Sequence, residues 1–217
     1  KGFDRKLIED MRDDWTVVPT MRNLWAFDWK CYKCGKRVYQ DKKNICSCGH
    51  KMKKKMVWIG KSNPQSNSYC FDSEPHFQYF NEYTKRPEYQ EQLKSGLTET
   101  MSLQGSCFMM TRDKYWELNI CDESLGSWGS QGIEVALKTW LSGGKVMVNH
   151  KTWYAHMFRT KSDTFGFPYP QSGKQVQGAK KKIKELFWNY KGVHDLKWLL
   201  NKFAPVKGWT KEEIDLI

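Results

Sequence analysis

The sequence predicts an α/β protein of 217 residues with a small cysteine-rich insertion and a helical C-terminal tail. Three observations predict it. Residues 128–159 read as a helix followed by a strand, four cysteines lie close together between residues 31 and 48, and apolar residues recur at helical spacing after Gly178. Hydrophobic residues make up 39% of the chain, which is enough to form a core and argues against a disordered protein.

The N-terminal segment is predicted to form one helix and one strand. Apolar residues favour a helix over Phe3–Met11, and Thr16–Val18 reads as a β-strand because it ends in two β-branched residues. Pro19 is expected to close this strand, since proline lacks a backbone N–H group.

Four cysteines follow in two closely spaced pairs, Cys31-x-x-Cys34 and Cys46-x-Cys48. A glycine stands directly after each pair, where a tight turn needs a residue free of Cβ strain. Thiolates two or three positions apart can approach one ion, and two such pairs complete a tetrahedron. We therefore predict a zinc ribbon with a structural Zn²⁺. His50 is an alternative ligand to Cys48, and four free thiols in a loop are the other interpretation.

Basic residues are concentrated around these cysteines. Between Lys30 and Lys55 ten basic residues face one acidic residue, Asp41, whereas the formal charge of the whole chain is +12. A local basic patch with nearby aromatic side chains suits a polyanion, either nucleic acid or an acidic glycan. The alternative is a solvated lysine-rich face that offsets the charge of the thiolates.

A helix is predicted between Ser130 and Gly143. Ser130 is a suitable N-cap, and Gly143-Gly144 supplies a residue that can adopt the left-handed conformation at a helix end. Glu134 falls in the first turn, at the border of the apolar stripe. The stripe consists of Ile133, Ala136, Leu137, Trp140 and Leu141.

A strand over Lys145–His150 follows this helix, and His156 comes shortly after the strand. An acid at the start of a helix and a histidine beyond the next strand can meet in one cleft. We therefore predict that Glu134 and His156 converge. Farther along, Ile183, Leu186, Phe187 and Tyr190 keep the spacing of a helix.

This run resembles the acceptor-side half of the catalytic domain in nucleotide-sugar glycosyltransferases with the GT-A fold. It is similar both to the family 2 group and to polypeptide N-acetylgalactosaminyltransferases, in which a WGGEN-like segment opens a helix and a GHVFR-like segment follows the next strand. The matching segments here are Trp128–Glu134, with Gly132 and Ile133 inserted, and Ala155–Arg159. The resemblance implies a mixed sheet with flanking helices.

The resemblance also implies roles for individual residues. Glu134 would be the general base of an inverting reaction or would orient the substrate; otherwise it is an ordinary first-turn glutamate. His156 would bind the catalytic divalent metal, Mn²⁺ or Mg²⁺, and otherwise packs as a half-buried histidine. Arg159 would reach the diphosphate, and Trp128 and Gly129 would contact donor or acceptor. For Arg159 a solvent-facing role, and for Trp128 burial in the core, are the alternatives.

Three further segments resemble the same enzymes. Gly105–Met110, followed by Thr111–Trp116, is similar to their strand-then-helix GGxFxxxRxxxxxxG passage. Lys1–Asp4, with Leu7 and Ile8 after it, is similar to the helix after their Asp-x-Asp or Asp-x-His metal motif. The donor-binding half that carries this motif is therefore expected to be missing, and the chain alone is expected to be inactive. Residues 194–209 resemble a tail of phage-type family 2 enzymes.

This resemblance divides the chain into four parts. Residues 1–26 and 99–160 would form the catalytic core, 27–60 the zinc-ribbon insertion, 61–98 its loop-rich remainder, and 161–217 a flexible loop and helical tail. An odd number of cysteines, seven, argues against a disulfide framework and favours a cytoplasmic protein, in the host cytoplasm if phage-encoded. No apolar run approaches the roughly 20 residues that a transmembrane helix needs.

The sequence thus predicts a metal-dependent glycosyltransferase that moves a hexose or an N-acetylhexosamine from a nucleotide-diphosphate sugar. The acceptor would be a glycan, a protein or modified DNA. The alternative is a zinc-ribbon protein that binds nucleic acid or serves in assembly, with an incomplete and inactive transferase-like domain.

Overall fold

The structure is a computed structural model that describes residues 2–39, 44–126, 129–158 and 172–217, with only the backbone described for Tyr39. Its contacts divide the chain into two units. The first, here called the core unit, comprises Lys1–Thr20, Ser66–Trp153 and Gln171–Ile217. The second, the cysteine module, comprises Met21–Gln65 and Tyr154–Pro170. Two long strands, Trp15–Cys31 and Lys145–His156, run from one unit into the other.

The described residues form an α/β protein with helices beside the strands, so the predicted fold class is confirmed. The helices are α1 (Phe3–Glu9), α2 (Pro87–Leu93), α3 (Arg112–Glu117), α4 (Gln131–Leu141), α5 (Gly173–Phe187), α6 (Leu196–Lys202) and α7 (Lys211–Asp215). The strands are β1 (Trp15–Cys31), β2 (Arg37–Tyr39), β3 (Met52–Pro64), β4 (Tyr69–Phe71), β5 (Phe77–Tyr79), β6 (Leu97–Glu99) and β7 (Lys145–His156).

The strands form one larger and one smaller sheet. The larger sheet has the order β2-β1-β7-β6, and β3 also pairs with β1. In the core unit β6 and β7 are antiparallel, with Thr98 opposite Val148, and an isolated bridge joins Val17 to Met109. The smaller sheet is the antiparallel β4–β5 pair, also in the core unit.

The core unit is held together by apolar packing. One cluster of twenty-five buried residues draws on strands β1, β4 and β7 and on helices α2, α4, α5 and α6. Trp140 lies near its centre, where its indole N–H donates to the Thr100 carbonyl at 3.1 Å and its ring meets Phe203 edge-on. The predicted stripe of α4 is confirmed, because Ile133, Ala136, Leu137, Trp140 and Leu141 are all buried.

Arg86 binds the C-terminal tail, residues 194–217, to the rest of the core unit. The Arg86 guanidinium donates to the carbonyls of Phe203, Ala204 and Pro205 at 2.6–3.0 Å and lies over the ring of Tyr83. Trp209 adds a hydrogen bond from its indole N–H to the Phe71 carbonyl. Short helices of this kind are marginal alone, so these contacts stabilise the tail.

The cysteine module is built on the β1–β3 pair. The two strands are antiparallel, and their first stretch of pairs runs from Cys31–Met52 to Phe27–Met56. The register then shifts, and pairing resumes with Trp25 opposite Ile59. The buried cluster of this unit contains only Cys31, Cys46 and Met52, with Trp29 and Val38 packed against it.

Two expectations for local structure were wrong in extent. Strand β1 does not end at Pro19 but continues to Cys31. Proline can lie within a strand because its fixed φ angle is compatible with extended backbone, and the strand loses only the hydrogen bond of one backbone N–H group. Strand β7 continues past His150 to His156.

Trp128, Arg159 and most of the loop expected at Asp163–Gly173 lie outside the described residues. No described helix is long and apolar enough to cross a membrane.

Candidate functional site

The two segments that resemble glycosyltransferase motifs meet inside the core unit. A Cβ atom on Gly132 would lie 2.0 Å from the Leu103 carbonyl oxygen, so only glycine allows this approach. A Cβ atom on Gly105 would lie 3.0 Å from the Gly132 amide nitrogen. The start of α4 therefore packs directly against the backbone of residues 103–105.

The loop before α4 has a strained backbone. Asn119, Cys121 and Ser130 have positive φ angles of 47°, 63° and 58°, and Gly126 and Gly129 also have positive φ. Ser130 is the N-cap residue, as predicted, but its side chain makes no capping hydrogen bond. Non-glycine residues in this region cost of the order of 1 kcal/mol each, and they cluster at functional sites.

Glu134 is buried in the first turn of α4, with 2% of its surface exposed. Its Oε1 atom accepts hydrogen bonds from the Lys138 ammonium at 2.8 Å and from the Asp122 backbone N–H at 3.0 Å. The Asp122 carboxylate lies 4.0 Å from the same ammonium. Glu134 thus joins the start of α4 to the strained loop, with Lys138 as its counter-ion.

A cavity of about 370 Å³ lies beside this junction, within the range of small-molecule pockets. Gly105, which contacts the start of α4, is part of its wall. The wall is formed by Phe3, Asp4, Leu7, Gly105, Ser106, Cys107, Phe108 and Met109. The cavity therefore combines the N-terminal helix with the Gly105–Met110 segment.

His156 lies at the end of β7, in the cysteine module. Its Nδ1 atom is buried and has no hydrogen-bond partner among the described residues. Burial lowers the pKa of His156, which keeps the imidazole neutral and able to act as a ligand. Its ring stands edge-on to Phe158, with 4.3 Å between the ring centroids. An unpaired buried nitrogen is costly unless it binds something, so His156 fits the role of a metal ligand.

The four cysteines of the module converge as the sequence predicts. Their sulfur atoms all lie within 4.8 Å of one another. The Sγ–Sγ distance is 3.4 Å for Cys34–Cys46 and 3.6 Å for both Cys31–Cys48 and Cys34–Cys48. Tetrahedral zinc with Zn–S bonds of 2.3 Å requires sulfurs roughly 3.8 Å apart. The thiols therefore fit one tetrahedral ion.

Backbone amides in the two turns donate to these sulfurs and favour their thiolate form, which is the form that binds metal ions. The Cys34 amide lowers the pKa of Cys31, and the Cys48 amide lowers the pKa of Cys46 to about 6. The His50 amide lowers the pKa of Cys48, but the sulfurs of Cys46, Cys31 and Cys34, together with burial, raise it to about 12. Four thiolates repel one another unless a cation stands between them.

His50, the alternative ligand to Cys48, is not needed to complete the cluster. Its Nδ1 atom lies 2.9 Å from the Cys48 carbonyl oxygen, whereas the four sulfurs form a complete set of ligands without it.

The structure thus describes some of the predicted site residues and not others. Gly129 has a φ angle of 103° in the loop before α4. Glu134 belongs to the core unit and His156 to the cysteine module, and the predicted meeting of the two stays a prediction. Sequence reasoning missed Lys138, although a glutamate and a lysine four residues apart on a helix are a known pairing signal. It also missed Gln131, whose side-chain amide donates to the Cys121 sulfur at 2.9 Å.

Part of the chain is similar in sequence to N-acetylgalactosaminyltransferases. No family model matches the chain. It is 27% identical over 122 residues, 56% of its length, to a probable N-acetylgalactosaminyltransferase 6 of Caenorhabditis elegans. It is 34% identical over 96 residues, 40% of its length, to a putative polypeptide N-acetylgalactosaminyltransferase 13 of Drosophila melanogaster. The chain spans 19% and 17% of these two relatives.

A structural match to a crystal structure of GalNAc-T7 with UDP, GalNAc and Mn²⁺ has a TM-score of 0.48 and 15% sequence identity. It covers 82% of this chain and 28% of that one. Part of this chain is therefore similar in sequence to N-acetylgalactosaminyltransferases.

Proposed function

We propose that this chain is the acceptor-side part of a metal-dependent glycosyltransferase with a GT-A fold. The enzyme would transfer a hexose or N-acetylhexosamine from a nucleotide-diphosphate sugar. One observation carries the proposal: the two segments that resemble such enzymes, Gly105–Met110 and Gly129–Glu134, meet at the approach of Gly105 to Gly132, beside a cavity. The sequence similarity to N-acetylgalactosaminyltransferases supports it.

In this proposal the strained loop and the start of α4 bind the acceptor. Glu134 holds the two together through Lys138 and the Asp122 amide. Its carboxylate is also the proposed general base, or the group that orients the attacking hydroxyl, because it is the only buried carboxylate among the described residues of α4. Trp128 and Gly129 are proposed to contact donor or acceptor.

His156 is proposed to bind the catalytic Mn²⁺ or Mg²⁺ through its buried Nδ1 atom, and Arg159 to contact the diphosphate. A divalent ion in such a site neutralises the charge of the leaving diphosphate. Two features of His156 support this role: burial lowers the pKa of its imidazole, and its Nδ1 atom has no hydrogen-bond partner among the described residues.

We also propose that Cys31, Cys34, Cys46 and Cys48 hold one structural Zn²⁺. Four protein ligands leave no open position for substrate, so the role of this ion is to fold the module. The sulfur distances support this assignment.

The test is an assay of the full protein that contains this chain. Release of nucleoside diphosphate from common nucleotide sugars is measured with Mn²⁺ or Mg²⁺, in the presence of a glycan, a peptide or DNA as acceptor. We expect turnover in the wild type and a loss of roughly 100-fold or more in His156→Ala and in Glu134→Gln.

Two exposed residues provide matched controls, His76→Ala and Glu117→Gln, which should keep full turnover. Because Glu134 is buried, circular dichroism must first show that Glu134→Gln is folded. Mn²⁺ binding, followed by electron paramagnetic resonance, separates the two roles: it should weaken in His156→Ala and persist in Glu134→Gln. Full turnover in a folded variant would remove that residue from the site.

A further inference from the structure

The cysteine module carries most of the net positive charge of the chain. Residues Met21–Gln65 contain twelve basic and two acidic residues, whereas the rest of the chain contains twenty-four basic and twenty-two acidic residues. One structural zinc with four thiolates would remove about two charges from this surplus. A strong local excess therefore remains.

The described residues of Met21–Gln65 offer little acidic charge to neutralise this surplus. The only acidic side chain in the described part of Met21–Gln65 is Asp28, which is fully buried and paired with Arg37. Lys30, Lys51, Lys53 and Lys55 are exposed or nearly so, and none forms an ion pair with a described residue. In the core unit, by contrast, ion pairs are numerous. These four lysines are thus available to an anionic partner.

Two exposed aromatic side chains lie among these lysines. Tyr32 has 66% of its surface exposed, and Trp58 has 53%. The Lys53 ammonium stands over the Tyr32 ring at 4.6 Å from its centroid. Single exposed aromatic rings are common on protein surfaces, but here two rings that are more than half exposed lie among exposed lysines.

Trp58 is held in an uncommon backbone conformation. Its φ angle is 50°, and it lies where the register between β1 and β3 shifts, between the Phe27–Met56 and Trp25–Ile59 pairs. A bulge of this kind redirects a side chain, and a bulky residue at positive φ costs free energy that neighbouring structure must offset. Met56 and Ile59 next to it are also exposed. This combination points to a surface built for contact.

We propose that the β3 face of the cysteine module, defined by Tyr32, Lys51, Lys53, Lys55 and Trp58, binds single-stranded nucleic acid. The lysines contact the phosphates, and unpaired bases stack on the two aromatic rings. A basic surface with exposed aromatic side chains is the arrangement that binds single strands without sequence preference. A duplex offers no free base faces to Tyr32 and Trp58, and an acidic glycan would use the lysines without needing planar bases.

This inference does not depend on the proposed transferase function, because its test contains no nucleotide sugar. Fluorescence anisotropy of a labelled 20-nucleotide single strand is measured with the full protein at several salt concentrations. The same measurement is made with the matching duplex and with a sulfated oligosaccharide of similar charge. We expect preferential binding of the single strand, with log K falling against log salt at a slope of about −2 or steeper.

Variants separate stacking from charge. Trp58→Ala should weaken single-strand binding roughly tenfold or more and leave the salt slope unchanged. The triple change Lys51→Gln, Lys53→Gln and Lys55→Gln should weaken binding and reduce the slope by about 2. The matched control is the same triple change at Lys180, Lys181 and Lys182, the other basic run, which should have little effect. Retained zinc content shows that the module is folded in each variant, and an unchanged circular dichroism spectrum shows the same for the core unit.

Three results would overturn the proposal. The first is no binding of the single strand at physiological salt. The second is equal or tighter binding of the sulfated oligosaccharide that is unaffected by Trp58→Ala, which would identify an acidic glycan as the ligand. The third is an equal loss of affinity in the Lys180–Lys182 control, which would show attraction by net charge alone.

Discussion

The core unit and the cysteine module are stabilised in different ways. Among the described residues, the core unit has one cluster of twenty-five buried residues and many ion pairs on its surface, whereas the cluster of the module has three, two of which are cysteines. Met21, Ala26 and Phe27 of the module are buried outside that cluster. The long strand β3 of the module has a single buried residue, Met52. A module with so little apolar burial needs another source of stability, and the Zn²⁺ proposed to bind the four converging sulfurs would provide one.

The same difference separates the chemistry of the two units. The core unit uses glycines and a buried ion pair to hold the start of α4 against the backbone of residues 103–105 and against the strained loop. The module has exposed lysines and two aromatic side chains that are more than half exposed. Packing thus shapes the proposed transfer site, whereas the module combines a proposed metal site with a basic surface.

The largest effect is expected from removal of a cysteine ligand. Cys46→Ser should abolish stoichiometric zinc binding and unfold the module, because structural zinc contributes on the order of 10 kcal/mol. Zinc content is measured by mass spectrometry under native conditions. Cys107→Ala, a change at a half-buried cysteine outside the cluster, should retain one zinc ion. Equal zinc content in Cys46→Ser and the wild type would contradict the proposed ligand set.

Two glycines in helices of the core unit test whether close packing stabilises that unit independently of zinc. Gly132→Ala would bring a methyl group to 2.0 Å from the Leu103 carbonyl, so we expect a loss of about 3 kcal/mol in the free energy of unfolding. Gly178→Ala in α5 meets nothing within 4 Å and should gain about 0.5–1 kcal/mol. Denaturant unfolding measures both. Zinc content should stay the same, and equal effects of the two changes would contradict the close approach.

The core unit should also lose stability in acid through His150. Burial lowers the pKa of His150 to about 4, and its Nε2 atom lies 2.8 Å from the Thr98 hydroxyl. The unfolded chain takes up a proton near the ordinary pKa of 6.5, before the folded protein does. The stabilising contribution is therefore complete above about pH 6.5 and is lost as the pH falls toward 4.

Linkage sets the size of this effect at about 2 kcal/mol over that range. The free energy of unfolding is measured by denaturant titration from pH 7 to pH 4.5. His150→Gln should show a correspondingly smaller decrease than the wild type. Identical pH profiles would show that His150 is not the group responsible.

Much of this arrangement could be predicted from local sequence. The spacing of apolar residues predicts α4, and Gly143, with a φ angle of 91°, ends it as expected. The two cysteine pairs predict their own convergence because each lies in a short turn with its glycine. These features depend on residues close together in the chain.

Other features depend on residues that are distant in sequence. The continuation of β1 through Pro19 follows from its pairing with β3 beyond Arg22, which no local signal indicates. The need for glycine at position 132 comes from a carbonyl twenty-nine residues earlier in the chain. The bulge at Trp58 is likewise a matter of register between two strands. Patterns within one segment cannot reveal such contacts.

Hydrogen exchange followed by mass spectrometry tests most directly the claim that a metal folds the module and packing folds the core unit. Exchange is measured before and after removal of zinc with a chelator. We predict that backbone amides of Cys31, Cys46 and β3 lose protection, while those of α4 and of Lys145–Trp153 in β7 keep it. Unchanged protection around the cysteines, or simultaneous loss of protection in α4, would contradict this account.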